Sequence, residues 1–398
     1  MKSRRDRAGL MGVVGHAASG SASSAFWTFP AMIGAAFVVA WGAEAAEFLM
    51  SQGLALAILA LIQTMPEFAV EAVIAWKAGK DPDMVHLAIA NFTGSLRLLT
   101  GFGWPMIYAV AAFYSRRRRK KPLGAIVLAD DHAVEVLGLL PPLAYFVVVW
   151  AKGNLSLWDA AFLVGTYAIY LYLLLRMPPR EETDEEEEEI PAVSRWALSF
   201  EGWKRWAAVG ALFVAGGAVI LLVAEPFLGS MMALAASFGI SQFVFIQWVA
   251  PFISEFPEKT SAFAWARRIT RAPVALLNMV SSNINQWGVL SGLLAVIYCV
   301  SHGDTSALPF DEFQRLEILL TILQAFLGWI FLASMSFEWY EAAGLFVLWL
   351  VQFCVPSLRH EMVWVYAAWI ALEVALAAFG RRRIRAFSAF SRSWRQRR

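Results

Sequence analysis

Long apolar stretches, separated by short charged ones, dominate the pattern of residues along the chain. An apolar segment of about 20 residues is long enough to cross a lipid bilayer as a helix. Such segments occur at 28–48, 53–78, 86–113, 133–151, 155–176, 206–227, 238–264, 273–300, 314–334, 339–356 and 361–380. The pattern therefore predicts an all-α polytopic membrane protein with about ten or eleven transmembrane helices.

The composition supports a membrane protein and argues against several other classes. Of the 398 residues, 59% are hydrophobic and 16% are charged, which is too apolar for a water-soluble domain of this size. The net charge of +2 does not indicate a nucleic-acid partner, because lysine and arginine occur in short runs between the apolar segments. The sequence contains no P-loop, zinc signature or hydrolase triad. We therefore expect a membrane transporter without a cofactor, not an enzyme.

The charged stretches divide the chain into segments. The acidic run "EETDEEEEE" at 181–189 lies between two apolar halves and is typical of a solvated linker. The predicted segments are an N-terminal segment 1–27, a membrane half 28–176, a charged cytoplasmic linker 177–205, a second membrane half 206–380, and a basic tail 381–398.

The distribution of lysine and arginine predicts the orientation in the membrane. If the first helix starts outside, the basic clusters at 115–121, 194–206, 265–271 and 380–398 all fall on the cytoplasmic side. The predicted loops at 79–85, 228–237 and 303–313 are nearly free of both residues. Positive charge favours the inside, so we expect the N-terminus outside, the C-terminus in the cytoplasm, and the plasma (inner) membrane as the location. The sequence does not indicate an oligomeric state.

Two apolar segments carry a Pro-Glu pair in the middle, Pro66-Glu67 and Pro257-Glu258. In both halves the next apolar segment carries an asparagine and small hydroxyl residues, in "ANFTGSLRLL" (90–99) and "LNMVSSNINQW" (277–287). The two copies define an internal repeat over about 52–113 and 238–300. Because an odd number of predicted spans separates the motifs, the repeats enter the bilayer in opposite directions. This is the plan of inverted-repeat transporters, whose sites lie near the midplane.

The residue types in the two motifs suit a dehydrated cation. Proline removes a backbone donor and breaks the helix, which frees carbonyl oxygens in the membrane. Glutamate supplies charge, and Ca²⁺ prefers six to eight hard oxygen ligands. A charge inside a span costs a few kcal/mol even on the mildest scale, so the four acids in these segments, Glu67, Glu71, Glu255 and Glu258, call for a function.

These motifs resemble those of the sodium/calcium exchanger (cation/calcium antiporter) superfamily. Its two inverted alpha repeats carry a pattern like G-T-S-x-P-E in one helix and G-N-x-x-G-S-N in the next. Here the first repeat reads "IQTMPE" (62–67) and "ANFTGSL" (90–96), and the second reads "ISEFPE" (253–258) and "LNMVSSN" (277–283). The resemblance covers four core helices and implies exchange of Ca²⁺ for Na⁺ by alternating access.

The resemblance also implies a set of ion-binding residues. Glu67 and Glu258 would be the metal ligands for Ca²⁺, helped by Ser254 and backbone carbonyls. Na⁺ would bind through hydroxyl and amide oxygens near them. The full predicted ion-binding set is Glu67, Glu258, Thr64, Ser254, Glu255, Ser95, Ser282, Gln286, Asn91, Asn278 and Gln63, with Arg97 and Glu71 as modulating residues.

Several positions depart from the family pattern. Gln63 replaces a threonine, Glu255 replaces a serine, and Leu99 stands four residues after Ser95 where a ligand is expected. Arg97 would place a fixed cation beside a cation site. It could pair with Glu255 or Glu71, lie against another helix or snorkel to the interface, or point at the site and replace a bound cation.

Three functional hypotheses follow from these residues. The leading one is an antiporter that exchanges Ca²⁺ for Na⁺. The second is H⁺-driven Ca²⁺ or cation exchange, because Leu99 removes an oxygen and Glu255 adds a carboxylate that can carry a proton. The third is a non-transporting membrane protein that retains the fold, with its site neutralised by Arg97.

Overall fold

The structure is a computed structural model that describes residues 21–49, 61, 64–176 and 191–395. The helices of the first half are α1 Ala25–Glu47, α2 Met65–Ala78, α3 Val85–Leu98, α4 Trp104–Tyr114, α5 Ala133–Gly138, α6 Leu140–Lys152 and α7 Leu157–Leu175. Those after the acidic run are α8 Ala192–Leu198, α9 Trp203–Ser237, α10 Gln242–Ser254, α11 Phe256–Ala266, α12 Ala272–Asn285, α13 Ser291–His302, α14 Glu312–Leu332, α15 Trp339–Cys354, α16 Arg359–Ala378 and α17 Ala386–Arg395.

Four short strands connect loops of the two halves. They are β1 Ala125–Val127, β2 Asn154–Leu155, β3 Leu308–Pro309 and β4 Ser336–Glu338. β1 pairs antiparallel with β4, with Ala125 opposite Glu338, and β2 pairs antiparallel with β3. Each pair joins a strand from the first half to one from the second, so the halves are tied together outside the helical core.

The helices confirm the predicted all-α polytopic membrane fold. Within the described residues, eight helical stretches are long and apolar enough to cross a membrane, and α10 and α15 are shorter apolar helices. The predicted span 53–78 is described only in part, because residues 50–60 lie outside the described part of the chain.

One predicted loop is wrong. The sequence pattern placed a loop at 228–237, but α9 continues without interruption to Ser237 and packs along α1. Leu228, Met231 and Ala235 recur at helical spacing and are buried. Residues 228–237 lack lysine and arginine because they form a packed helix, and not because they lie in a loop outside the membrane.

The helix of the second repeat is broken at the predicted place. α10 ends at Ser254 and α11 begins at Phe256, with Glu255 alone between them at φ −94° and ψ 7°. Pro257 lies in the first turn of α11, where its missing N–H would have no helical partner in any case. In the first repeat α2 likewise begins just before its proline, at Met65.

A second shared irregularity supports the internal repeat. π-helical turns at Leu99–Gly103 and Gln286–Leu290 follow α3 and α12 directly. Each begins four residues after the motif serine, Ser95 in one repeat and Ser282 in the other. π-helical turns inside helices are rare and occur frequently at functional sites, so their equivalent positions point to a shared architecture.

The first-repeat helix α3 lies at the centre of the molecule. All of its residues except His86 are buried, and it packs against α2, α10 and α14. α3 and α10 approach most closely at Gly94, where an added Cβ would lie 1.8 Å from the carbonyl oxygen of Gln247. The close contact of these two helices therefore requires glycine at this position.

We expect Gly94→Ala to lower the free energy of unfolding by about 1–3 kcal/mol or more, because the backbone at Gln247 has to move away. Gly165→Ala on α7 is the matched control, since nothing lies within 4 Å of its added Cβ. Thermal unfolding of both variants in detergent measures the effect. Equal melting temperatures for the two variants would contradict the close helix contact at Gly94.

Candidate cation site

Four acidic side chains from the two repeats are buried in one region of the protein. Glu67 and Glu71 lie on α2, Glu258 lies on α11, and Glu255 lies at the break between α10 and α11. None is more than 1% exposed. The Glu255 carboxylate is close enough to repel those of both Glu67 and Glu258 electrostatically.

Hydrogen bonds between the repeats hold this region together. Ser254 Oγ at the end of α10 donates to Glu67 Oε2 on α2. In the opposite sense, Ser95 Oγ on α3 donates to Glu255 Oε1. Each repeat therefore supplies a serine hydroxyl to a carboxylate of the other repeat.

A third contact between the repeats involves an amide and a hydroxyl. Asn285 Nδ2 on α12 donates to Thr64 Oγ1, just before α2, at 2.5 Å. Thr64 is 1% exposed and Asn285 is fully buried. The contact places the start of α2 against the end of α12, beside the π-helical turn of the second repeat.

Further donors come from the second motif helix of each repeat. Asn91 Nδ2 on α3 donates to Glu67 Oε1 at 2.6 Å and to Glu71 Oε2 at 2.7 Å. Ser282 Oγ on α12 donates to Glu258 Oε1 at 2.5 Å. α2 and α11 therefore each hold a Pro-Glu carboxylate against the helix that follows in the same repeat.

The sequence analysis missed Lys259. Its ammonium lies 2.5 Å from Glu255 Oε2, and the residue is only 4% exposed. It also attracts the carboxylates of Glu67 and Glu258. The signal was visible, because a lysine follows the second Pro-Glu pair directly and stands four residues after Glu255, at the spacing of a helical ion pair.

Glu255 thus has three partners, which fixes its position at the break. Besides Ser95 and Lys259, it accepts a hydrogen bond from Gln286 Nε2 at 2.9 Å. In the first repeat the position equivalent to Gln286 is Leu99, which is fully buried in the apolar core. The two repeats share a backbone plan but not the same set of polar side chains.

The prediction that Arg97 pairs with Glu255 or Glu71 is wrong. Arg97 Nη2 forms an ion pair with Glu317 on α14, and Nη1 donates to Gln352 on α15 at 2.9 Å. The reason is helical geometry, because side chains two positions apart on an α-helix point in directions that differ by about 200°. Ser95 faces the acids of the candidate site, and Arg97 therefore faces the opposite side of α3.

Glu317 is the centre of a separate buried polar cluster that the sequence analysis also missed. Besides Arg97, it pairs with Arg359 at the start of α16 and accepts a hydrogen bond from Gln247 Nε2 at 2.7 Å. The Arg97 guanidinium lies over the ring of Trp248, with its central carbon 5.2 Å from the ring centroid. The only sequence signal was one acid in the apolar stretch that forms α14.

Two predicted ion-binding residues remain, Asn278 and Gln63. Asn278 is buried on α12, one turn before Ser282. Gln63 lies outside the described residues.

The candidate site is rich in oxygen atoms that no donor satisfies. In the described part of the chain, the following buried oxygens accept no hydrogen bond: Glu71 Oε1, Glu258 Oε2, Asn91 Oδ1, Asn285 Oδ1 and Gln286 Oε1. Carboxylate and amide oxygens are the ligand types that Ca²⁺ takes. The described residues contain no preformed group of three or more acidic, histidine or cysteine side chains in metal-binding geometry. A cation bound here would therefore combine few carboxylates with amide, hydroxyl and backbone oxygens.

The comparisons with known proteins identify the family of the chain. The family described as sodium/calcium exchanger protein matches residues 21–176 and 209–357, which include both Pro-Glu motifs. The chain belongs to the sodium/calcium exchanger family. The predicted superfamily is thereby confirmed, and the protein is a cation exchanger and not an enzyme.

Solved exchanger structures share the fold. The crystal structure of the H⁺/Ca²⁺ exchanger CAX is 32% identical in sequence, aligns over 95% of this chain and 91% of that chain, and gives a TM-score of 0.82. The sodium-calcium exchanger NCX_Mj, soaked with 2.5 mM Na⁺ and 10 mM Sr²⁺, is 16% identical over 84% of this chain and 97% of that chain, with a TM-score of 0.55. The second similarity shows the fold alone. No curated protein sequence matches the chain.

Replacing Glu317 should destabilise the protein more than replacing Arg97. Glu317→Gln leaves both Arg97 and Arg359 without an acidic partner, so we expect a loss of about 3–5 kcal/mol in the free energy of unfolding. Arg97→Met should cost less, because Glu317 keeps Arg359. The double variant should be less destabilised than the sum of the two single variants, as a double-mutant cycle in detergent measures.

The ion pair between Arg392 and Asp130 provides the control cycle. Both side chains are about half exposed, so removing either should change unfolding little. Additive effects of the Arg97 and Glu317 substitutions, with no coupling larger than in the control, would show that the buried pair is not formed.

Proposed function

We propose that this exchanger moves Ca²⁺ across the membrane in exchange for protons, with Glu67 and Glu258 as the Ca²⁺ ligands. The observation that carries the proposal is the pair of Pro-Glu carboxylates, one from each repeat, buried next to Glu255 and next to buried oxygens without donors. Burial of such charges is costly in a membrane and is typical of ion pathways. A bound cation would offset that cost.

Two observations favour protons over sodium as the driving ion. Leu99 offers no oxygen at a position where Na⁺ would need one. The similarity to the H⁺/Ca²⁺ exchanger CAX also extends over nearly the whole of both chains.

Sodium is the alternative driving ion. Thr64, Ser95 and Ser282 are buried, and Ser95 and Ser282 hydrogen-bond to acids of the site, so hydroxyl oxygens, a ligand type that suits Na⁺, are present there. The similarity in fold to NCX_Mj is compatible with this alternative. The hypothesis of a non-transporting protein loses its main support, since the charge of Arg97 is directed at Glu317 and not at the candidate site.

The proposed exchanger has its C-terminus in the cytoplasm, its N-terminus outside, and its two halves at 28–176 and 206–380. The basic clusters support this orientation. We place the protein in the plasma (inner) membrane.

Proteoliposomes test the driving ion. We expect Ca²⁺ uptake under a proton gradient directed out of the vesicles and little uptake under an outward Na⁺ gradient at equal pH. The double variant Glu67→Gln with Glu258→Gln should lose uptake. Glu312→Gln on the exposed first turn of α14 is the matched control, and it should transport normally. Uptake driven by Na⁺ alone would replace the proton proposal. Absence of uptake under both gradients would support the non-transporting alternative.

Lys259 makes a separate prediction about Ca²⁺ binding. Lys259→Met leaves Glu255 without its counter-charge, so more negative charge faces the ion. We expect the Ca²⁺ concentration at half-maximal uptake to fall by about tenfold, which corresponds to about 1.4 kcal/mol. The concentration dependence of uptake in proteoliposomes measures this change.

Two further variants separate charge from packing at Lys259. Lys259→Arg retains the positive charge, and the double variant Glu255→Gln with Lys259→Met restores the net charge of the wild type. Both should bind Ca²⁺ within a few-fold of the wild-type affinity. An unchanged Ca²⁺ dependence in an active Lys259→Met variant would exclude this electrostatic role.

A further inference from the structure

A large apolar cleft lies between α4 and α15. Its volume is about 1020 Å³. One wall is formed by α4, including Met106 and Ala109, and the other by α15, including Ala343 and Phe346. The small side chains of Ala109 and Ala343 are exposed in the cleft, so it is open to the surroundings of the helices.

Hydrogen bonds fix the segment that closes one end of the cleft. Tyr108 Oη on α4 donates to the carbonyl oxygens of Leu123 and Gly124, the latter at 3.2 Å. The N–H of Trp339 at the start of α15 donates to the same Gly124 oxygen at 3.2 Å. The cleft is therefore part of the packed structure and not a gap between loosely placed helices.

The lining residues on α4 span more than the depth of one leaflet of a bilayer. Arg116 lies 14 positions after Phe102 along the chain. At a rise of about 1.5 Å per residue this is about 21 Å, compared with about 15 Å for half of the hydrocarbon core. An acyl chain can thus lie along the apolar walls, with room left for a headgroup at the end of α4.

The headgroup end of the cleft is strongly basic. Arg116 lines the cleft and begins the exposed run Arg116–Arg119, followed by Lys120 and Lys121. Among the described residues no acidic side chain forms an ion pair with Arg116. Trp339, which is 59% exposed, lies at the same end of the cleft as the segment 122–124. Membrane proteins concentrate tryptophan at the membrane–water interface.

We propose that this cleft binds an anionic phospholipid, with an acyl chain between α4 and α15 and the phosphate at Arg116. Apolar walls favour the chain, and Arg116, which lines the cleft, favours an anionic headgroup at its end. In the orientation proposed above, the lipid belongs to the cytoplasmic leaflet. A soluble apolar ligand would not use the basic end, and a protein segment would have to cover a surface that faces the bilayer.

The cleft also adjoins the break in the second repeat. The Phe102 ring that closes its inner end lies 6.1 Å from the ring of Phe252 on α10, centroid to centroid, and Phe252 lies 6.1 Å from Phe256, the first residue of α11. A lipid in the cleft would therefore contact Phe102, whose ring packs against Phe252 on the helix that ends at the break.

Native mass spectrometry of the purified full-length protein tests the site. The protein is titrated with phosphatidylglycerol and, separately, with phosphatidylcholine of the same acyl chains. We expect one phosphatidylglycerol to bind more tightly than phosphatidylcholine. Arg116→Ala should weaken that binding by about fivefold, the equivalent of about 1 kcal/mol for one basic side chain. Ala109→Phe with Ala343→Phe should remove binding of both lipids by filling the cleft.

Matched controls distinguish this site from general attraction of lipid. Arg119→Ala removes a charge from the same run without touching the cleft, and Ala161→Phe makes one substitution of the same kind on the exposed face of α7. Both should retain the wild-type affinities, and melting temperatures confirm that all variants are folded. Equal losses in Arg116→Ala and Arg119→Ala, or unchanged binding in the cleft-filling variant, would overturn the proposal.

Discussion

The arrangement of the helices depends on the need to supply hydrogen-bond donors to carboxylates buried in a membrane protein. A buried charge without partners is far more costly than one that accepts hydrogen bonds. Here Ser254 serves Glu67 and Ser95 serves Glu255, so each repeat supplies a donor to the other. Together with Asn91 and Ser282, which donate within their own repeats, these bonds hold α2, α3, α10 and α12 in one region.

The buried positive charges of Arg97 and Lys259 are paired with acids other than the Pro-Glu residues Glu67 and Glu258. Arg97 is neutralised by Glu317 on the far side of α3, and Lys259 is neutralised by Glu255 at the helix break. Both cations thus have an acidic partner other than Glu67 and Glu258. Glu255, which replaces a serine in the family motif, therefore has a counter-charge from Lys259 four residues later.

The sequence predicted most of the fold but only part of the site. Apolar segment lengths gave the helices, and the repeated Pro-Glu pairs gave the break and the two central acids, since both signals are local. The loop expected at 228–237 was wrong because a lack of charge is common to outside loops and packed helices. The partner of Arg97 could not be predicted either, because it lies on α14, 220 residues further along the chain.

The differences between the repeats affect exchange as much as their similarity does. A shared backbone plan, with a broken helix and a π-helical turn, lets an inverted-repeat protein present one site to either side of the membrane. The side chains are not equivalent, since the second repeat has Glu255, Lys259 and Gln286 where the first has Thr64, Phe68 and Leu99. The two conformations, which present the site to opposite sides of the membrane, therefore need not be equal in free energy. The polar side chains of the second repeat are the ones that can set the difference.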